Sequence, residues 1–401
     1  MLRDEDVRKA LEKPAKYGAD LDLSSYGFGE AEEFAEIDRD VSRRGIEVGV
    51  DLDRRRYLST FLHVDYSTVY RSVQREFKDD LELMTIEEAL KRYDWVRDLL
   101  WKLRDPCEDK YTAFTALNAR GGYFLRILEG RKILIPIQAC FLLFTQGIIQ
   151  PVHNLIVAEP GSEAHILTGC TIHPRVTRGL HLGVTEIYVR KDAKLTYTMV
   201  HRWGPEFDVR SRTGILVDDG GVFVSNYVML GELRTFQSQP SARLVGSSSR
   251  TSMNNVVYLR GRSEMDLGGE VLLEGAGSRA EIILNSVAAD NAKITTRGRI
   301  LGLADDVKGH LSCRGLILSD GAEISTIPIL ESRKMNSELS HEAAIGKIAE
   351  DQLNYLIARG LSRDEAESLI VRGFLDIGGM GLPKPIEEGV KRTIELALKG
   401  F

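Results

Sequence analysis

Arg262-Ser263-Glu264, Gly277-Ser278-Arg279, Asn291-Ala292-Lys293, Asp306-Val307-Lys308 and Gly321-Ala322-Glu323 are five versions of one short pattern, with their central residues 15, 14, 15 and 15 positions apart. Between them run short stretches rich in Val, Ile, Leu and Thr, the residue types of strands. A period near fifteen is too short for a propeller blade or a helical hairpin. It suits a pair of strands with two turns in a coiled solenoid. Upstream, Gly161-Ser162-Glu163-Ala164, Asp192-Ala193-Lys194-Leu195 and Gly220-Gly221-Val222-Phe223 recur after 31 and 28 residues, close to two periods. The expected fold is therefore mainly β, a parallel β-helix or β-solenoid. A β-sandwich is the competing arrangement, although it does not require turns in phase.

Outside this array the signals turn helical. Thr85-Ile86-Glu87-Glu88 has capping-box spacing and leads into an apolar face of Ile86, Ala89, Leu90 and Tyr93. The charged stretch Gly29 to Arg44 has only a thin helical face in Ala31, Phe34, Ala35 and Ile37, as in a mobile or partner-bound segment. After the array, Ala344, Ile345, Ile348, Leu353, Leu356 and Ile357 predict a helix stopped by Gly360. Ser362-Arg363-Asp364-Glu365 starts a second, and a third spans Ile386 to Leu398. The expected division is a helical region at 1–120, the β-helix at 121–335 and a helical domain at 336–401.

The 401 residues are 43% hydrophobic and 28% charged, enough for a sizeable core. A net charge of −6 without a long basic run argues against a nucleic-acid partner. The alternating charges of Arg3, Asp4, Glu5, Asp6, Arg8 and Lys9 do not form a signal sequence, and no apolar run reaches membrane-spanning length. The expectation is a cytoplasmic protein with reduced thiols. Cys107, Cys140, Cys170 and Cys313 form no Cys-x-x-Cys pair, so each alone reads as a small buried apolar residue.

Three stretches carry a resemblance. Ser340-His341-Glu342-Ala343-Ala344-Ile345-Gly346-Lys347 is followed by Glu350-Asp351-Gln352-Leu353, Ala358-Arg359-Gly360 and Ile370-Val371-Arg372-Gly373-Phe374. Thr168-Gly169-Cys170-Thr171 is the second. The third is His181-Leu182-Gly183-Val184-Thr185-Glu186-Ile187-Tyr188-Val189 with Tyr197-Thr198-Met199-Val200-His201-Arg202-Trp203. Over residues 110 to 401 the chain resembles the SufB/SufD family of iron–sulfur cluster assembly proteins. The resemblance implies a right-handed β-helix paired with a second SufB/SufD-like subunit, as homodimer or heterodimer. It also implies a SufC-like ABC-type ATPase docked on the C-terminal helices. The chain itself has no phosphate-binding loop, because Gly346-Lys347 is followed by Ile348 and lacks an upstream glycine. ATP hydrolysis is expected in another chain.

The resemblance also implies a site. Cys313, His341 and Glu342 match the positions that hold a transient iron–sulfur cluster, and cysteine with occasional histidine is the usual ligand chemistry. The strand spacing, with Cys313 and His341 taken as two rungs apart, sets them about 10 Å apart. The expectation is thus that Cys313 and Glu342 of one subunit meet His341 of a neighbouring subunit across a dimer interface, favoured by open edge strands. The competing reading takes Ser340-His341-Glu342 as a plain helix start. Cys170 matches the cysteine that accepts sulfur from a donor protein, which requires an accessible thiolate. His201 and Trp203, two apart, are expected to face the lumen and join Cys170 in a sulfur relay. Against the SufB pattern, polar positions are replaced by Leu142 and Phe144, which puts that path in doubt. Cys107 and Cys140 are expected to be structural, and His153, His165, His173 and His310 have no evident ligand spacing. The expected role is a non-enzymatic scaffold. A SufD-like structural subunit without its own cluster is the alternative. A β-helix carbohydrate-active enzyme would need paired acids on one face, whereas Asp218-Asp219 and Asp305-Asp306 fall in turns.

Overall fold

The computed structural model describes residues 4–34, 36–52 and 59–376, with a few positions beyond. Each fifteen-residue period holds one strand, not the expected pair, and is half a circuit, because successive strands alternate between two ten-stranded sheets. Along the first sheet, Lys132–Leu143, Glu163–Ile172, Lys194–Arg202, Val222–Gly231, Arg250–Leu259, Arg279–Ala288, Lys308–Ile317 and Glu338–Lys347 pair in parallel. The second sheet runs from Tyr123–Ile127 through Ile149–Ala158, Arg178–Val189 and Glu206–Val217 to Glu264–Leu273, Lys293–Gly302 and Glu323–Ser332. This is the β-solenoid that the period predicts.

The turns explain the period. Ser162, Ala193, Ser263, Ser278, Ala292 and Val307 are all buried at corners where larger side chains would not fit. Just before them stand residues of positive φ, Gly or Asp in most cases: Gly161, Asp192, Gly261, Gly277, Asp290 and Asp306. Gly takes that conformation freely and Asp tolerates it.

The two ends of the coil differ. At the N-terminal end, Ser67–Val73 pairs antiparallel with Ser59–Val64, and Leu81–Thr85 pairs antiparallel with Tyr123–Ile127, breaking the parallel progression. These strands lie in the region expected to be helical. Phe61, Leu62, Leu81 and Leu83 are drawn into the sheets because the first rung offers apolar surface to cover. The expected capping box of Thr85 and Glu88 forms, and the Gly29–Arg44 stretch becomes helix only from Arg39. At the C-terminal end, Glu323–Ser332 and Glu338–Lys347 are the last strands of their sheets among the described residues.

Glu338–Lys347 corrects the sequence reading of this segment as helix. Ser340 to Lys347, with Ala344 and Ile345, continue the ladder one rung further, and helix begins at Glu350. The Ser362–Glu365 capping box forms as expected. The third expected helix lies largely outside the described residues. Leu353, Ala366, Val371 and Leu375 join one apolar cluster with Val256, Tyr258, Val287 and Leu316 on the outer face of the first sheet. The helices therefore lie along the solenoid's flank.

Candidate functional site

Two thiols lie inside the solenoid. Cys170 is in register with His201 on the next strand, so the two side chains share the lumen face. Around them stand Phe141, Thr168, His181, Tyr197 and Met199, enclosing a chamber with about 10 Å³ for the centre of a water-sized sphere. One water needs about that much. His201 Nδ1 lies 3.1 Å from the Tyr227 hydroxyl, while its Nε2 has no partner. The Trp203 ring is 5.3 Å from His201, 5.5 Å from His181, and stacked on Phe207 at 4.6 Å. Its Nε1 is also unpartnered. The structure thus brings Cys170, His201 and Trp203 together.

Burial sets the protonation of this group. It pushes the Cys170 thiol well above its ordinary value and holds His201 well below the usual histidine range. His181 falls to about 3 and His63 to about 4 for the same reason. At neutral pH the chamber therefore contains a thiol and neutral imidazoles. The accessible thiolate expected for sulfur transfer is not present in this conformation, since Cys170 is 1% exposed. Leu142 and Phe144 do not line the chamber: both point to the outer face, against the N-terminal segment.

Cys313 lies five rungs further on, about 24 Å away at ordinary strand spacing. A second chamber, walled by Tyr227, Phe236, Met253, Asn255 and Leu267, extends the first in that direction and shares Tyr197, Met199 and Ser211 with it. Beyond it, the buried side chains of Ile282, Leu284, Ile294 and Leu311 belong to the same core as Cys313. Cys313 is 2% exposed, and burial raises its thiol against the opposing effect of Thr326.

The separation of Cys313 and His341 needs correction. They are one rung apart, because a circuit takes two periods: Cys313 pairs with Ala343 and Leu311 with His341. Both face the lumen side at the open end, about 8 Å apart along the diagonal. Glu342 is in register with Ser312, whose hydroxyl donates to its carboxylate at 3.0 Å, on the outer face. One chain thus presents Cys313 and His341 to one side of the sheet and Glu342 to the other, which corrects the expected grouping of Cys313 with Glu342. Among the described residues no three His, Cys, Asp or Glu side chains gather as a metal site.

The sequence reading missed several chamber residues. Tyr123, Tyr197 and Tyr227 are signalled only by being polar at lumen positions otherwise filled by Val, Ile and Leu. Glu186 is fully buried and accepts from the backbone N–H groups of Trp101, Lys102 and Leu103, at 2.6, 2.8 and 2.7 Å. His153 approaches the same carboxylate at 2.9 Å. This arrangement fastens the N-terminal segment to the second sheet. Cys140 packs in the outer-face cluster, and His310 meets Ser340 at 2.9 Å.

The fold and site define a β-solenoid with a buried thiol chamber and a second thiol near its C-terminal end. The family model "SUF system FeS cluster assembly, SufBD core domain" matches residues 141–374. An iron–sulfur cluster assembly SufBD family protein of Methanothermobacter thermautotrophicus (strain Winter) is 42% identical over 413 aligned residues, covering 100% of both chains. One from Archaeoglobus fulgidus is 44% identical over 92% of this chain and 98% of its own. One from Staphylococcus saprophyticus is 26% identical over 91% and 79%. The chain belongs to the SufB/SufD family of iron–sulfur cluster assembly proteins. Among the described residues no helix is long and apolar enough to cross a membrane.

Proposed function

We propose that this chain is a cytoplasmic, non-enzymatic scaffold on which sulfur and iron combine into a transient cluster, and that its open end is where the cluster forms. The carrying observation is the placement of Cys313 and His341 on one face, one rung apart, beside unpaired edge strands. A single chain offers two ligands there, so a second SufB/SufD-like subunit joined end to end supplies the rest. Glu342, on the opposite face, then serves iron arriving from outside or a ligand position of the joined pair. Few and mixed ligands suit a cluster that must be released.

Sulfur reaches the scaffold at Cys170. Its chamber has room for about one added atom, and neutral His201, in register with Cys170 on the next strand, takes the thiol proton as sulfur is accepted. Trp203 packs against that imidazole. From there sulfur moves along the lumen toward Cys313 once the intervening apolar layer shifts. The C-terminal helices present Tyr355, Ile357 and Leu369, exposed at 58%, 38% and 49%, as a surface for an ABC-type ATPase. Its nucleotide cycle would supply the motion.

Co-expression with an ABC-type ATPase tests this. Co-elution that is lost on Leu369→Asp is expected, and a chain that elutes alone in both cases would contradict the partner. A SufD-like subunit without its own cluster is the second reading, favoured only by the burial of both thiols. It predicts no brown colour on anaerobic reconstitution of the assembled pair.

A further inference from the structure

Cys170 is sealed inside the coil, so a relay needs a way in. Trp203 is the first residue after the strand Lys194–Arg202, at a corner of the solenoid. On one side its ring packs against His181 and His201 of the Cys170 chamber. On the other it lines a solvent-open cleft bounded by Arg44, Arg202, Gly204, Glu232 and Arg260. Trp203 thus lies between the cleft, whose lining it shares with Ile172 and Val176, and the imidazoles of the chamber.

The cleft carries excess positive charge. Glu47 alone takes Arg43, Arg44 and Arg202, at 3.3, 2.9 and 3.4 Å, while Glu232 takes Arg260 at 2.9 Å. Of the described residues that line the cleft, Arg44, Arg202 and Arg260 are cationic and Glu232 is anionic. Arg44 Nε and Trp203 Nε1 are buried donors without partners, and Trp203 is 5% exposed. Unpaired donors in a positive cleft favour an anion.

We infer that this cleft is the access route to Cys170 for a small anionic sulfane-sulfur carrier, a persulfide or polysulfide, and that Trp203 is the gate at its floor. The inference rests on the relay reading of Cys170. In the transfer, the Cys170 sulfur attacks the outer sulfur of the carrier R–S–S⁻. The carrier's S–S bond breaks as a new S–S bond forms on Cys170. His201 accepts the thiol proton, and the departing thiolate takes it up, so no external oxidant is needed.

The test follows Cys170 by mass mapping after brief exposure of the full chain to inorganic tetrasulfide. The neutral reagent methyl methanethiosulfonate is run in parallel. The double variant Arg202→Gln/Arg260→Gln is expected to slow tetrasulfide about tenfold while leaving the neutral reagent within about twofold. Trp203→Ala should speed both reagents, and Trp203→Phe, which keeps an aromatic floor, should speed them less. Equal slowing of both reagents in the arginine variant overturns the inference. So do unchanged rates in both Trp203 variants with native circular dichroism. If a persulfidated protein donor labels Cys170 and tetrasulfide does not, the small-anion occupant is overturned while the relay stands. If no donor labels Cys170, the relay itself falls, and the access route with it.

Discussion

At the scale of single residues, the lumen stores polar groups in their neutral forms. His63 and His181 have folded pKa values of about 4 and about 3, against 6.5 without burial, and desolvation is the main cause in both. A histidine depressed in the folded state contributes stability that is complete above about pH 6.5 and is lost as pH falls toward the folded value. For His63 the full loss is about 3 kcal/mol. Urea unfolding between pH 7.5 and 5 should show stability falling with pH, and His63→Asn should flatten the slope. A slope that is flat in the parent would contradict the burial argument. Cys170 was legible only through its family neighbours, since nothing in Thr168-Gly169-Cys170-Thr171 separates a relay thiol from a core one. The His201 imidazole and the phenols that surround it lie 27 to 57 residues away in sequence, a distance that local reading does not bridge.

At the scale of elements, the corners were legible because each needs a short side chain and a turn residue every fifteen positions, and both constraints act locally. The last strand was not. Ser340-His341-Glu342 carries an N-cap residue and an acid suited to a helix start, and Ala344 and Ile345 also suit a helix. The template of Lys308–Ile317 decides the matter by offering ten ladder positions to Glu338–Lys347. Register then puts His341 and Glu342 on opposite faces, which a sequence motif does not reveal. Close rung stacking leads to a second prediction. A Cβ on Gly268 would lie 1.8 Å from the Arg297 carbonyl oxygen of the next strand, whereas one on Gly346 would meet nothing within 4 Å. Gly268→Ala should cost at least about 2 kcal/mol in urea unfolding, and Gly346→Ala less than about 0.5. Equal costs would mean that the register is wrong.

At the scale of the whole molecule, the solenoid has one end broken by antiparallel strands and one end that continues as a template. Ile345, 41% exposed, faces the lumen side of that last rung. Ile345→Lys would set a charge in any end-to-end joint, and should weaken pairing, with a second copy or a related chain, by roughly tenfold or more. Sedimentation of the pair measures this; unchanged pairing would place the contact elsewhere. Among the described residues the flank helices leave the last strand exposed, so the proposed ATPase docking and subunit pairing would use different surfaces.

The central claim is that the open end builds a cluster through Cys313. Anaerobic reconstitution of the assembled pair with iron and sulfide, followed by visible absorbance, tests it most directly. The parent should develop the brown absorbance of a cluster and Cys313→Ala should lose most of it while still pairing; a Cys313→Ala protein that kept the full absorbance would contradict the claim.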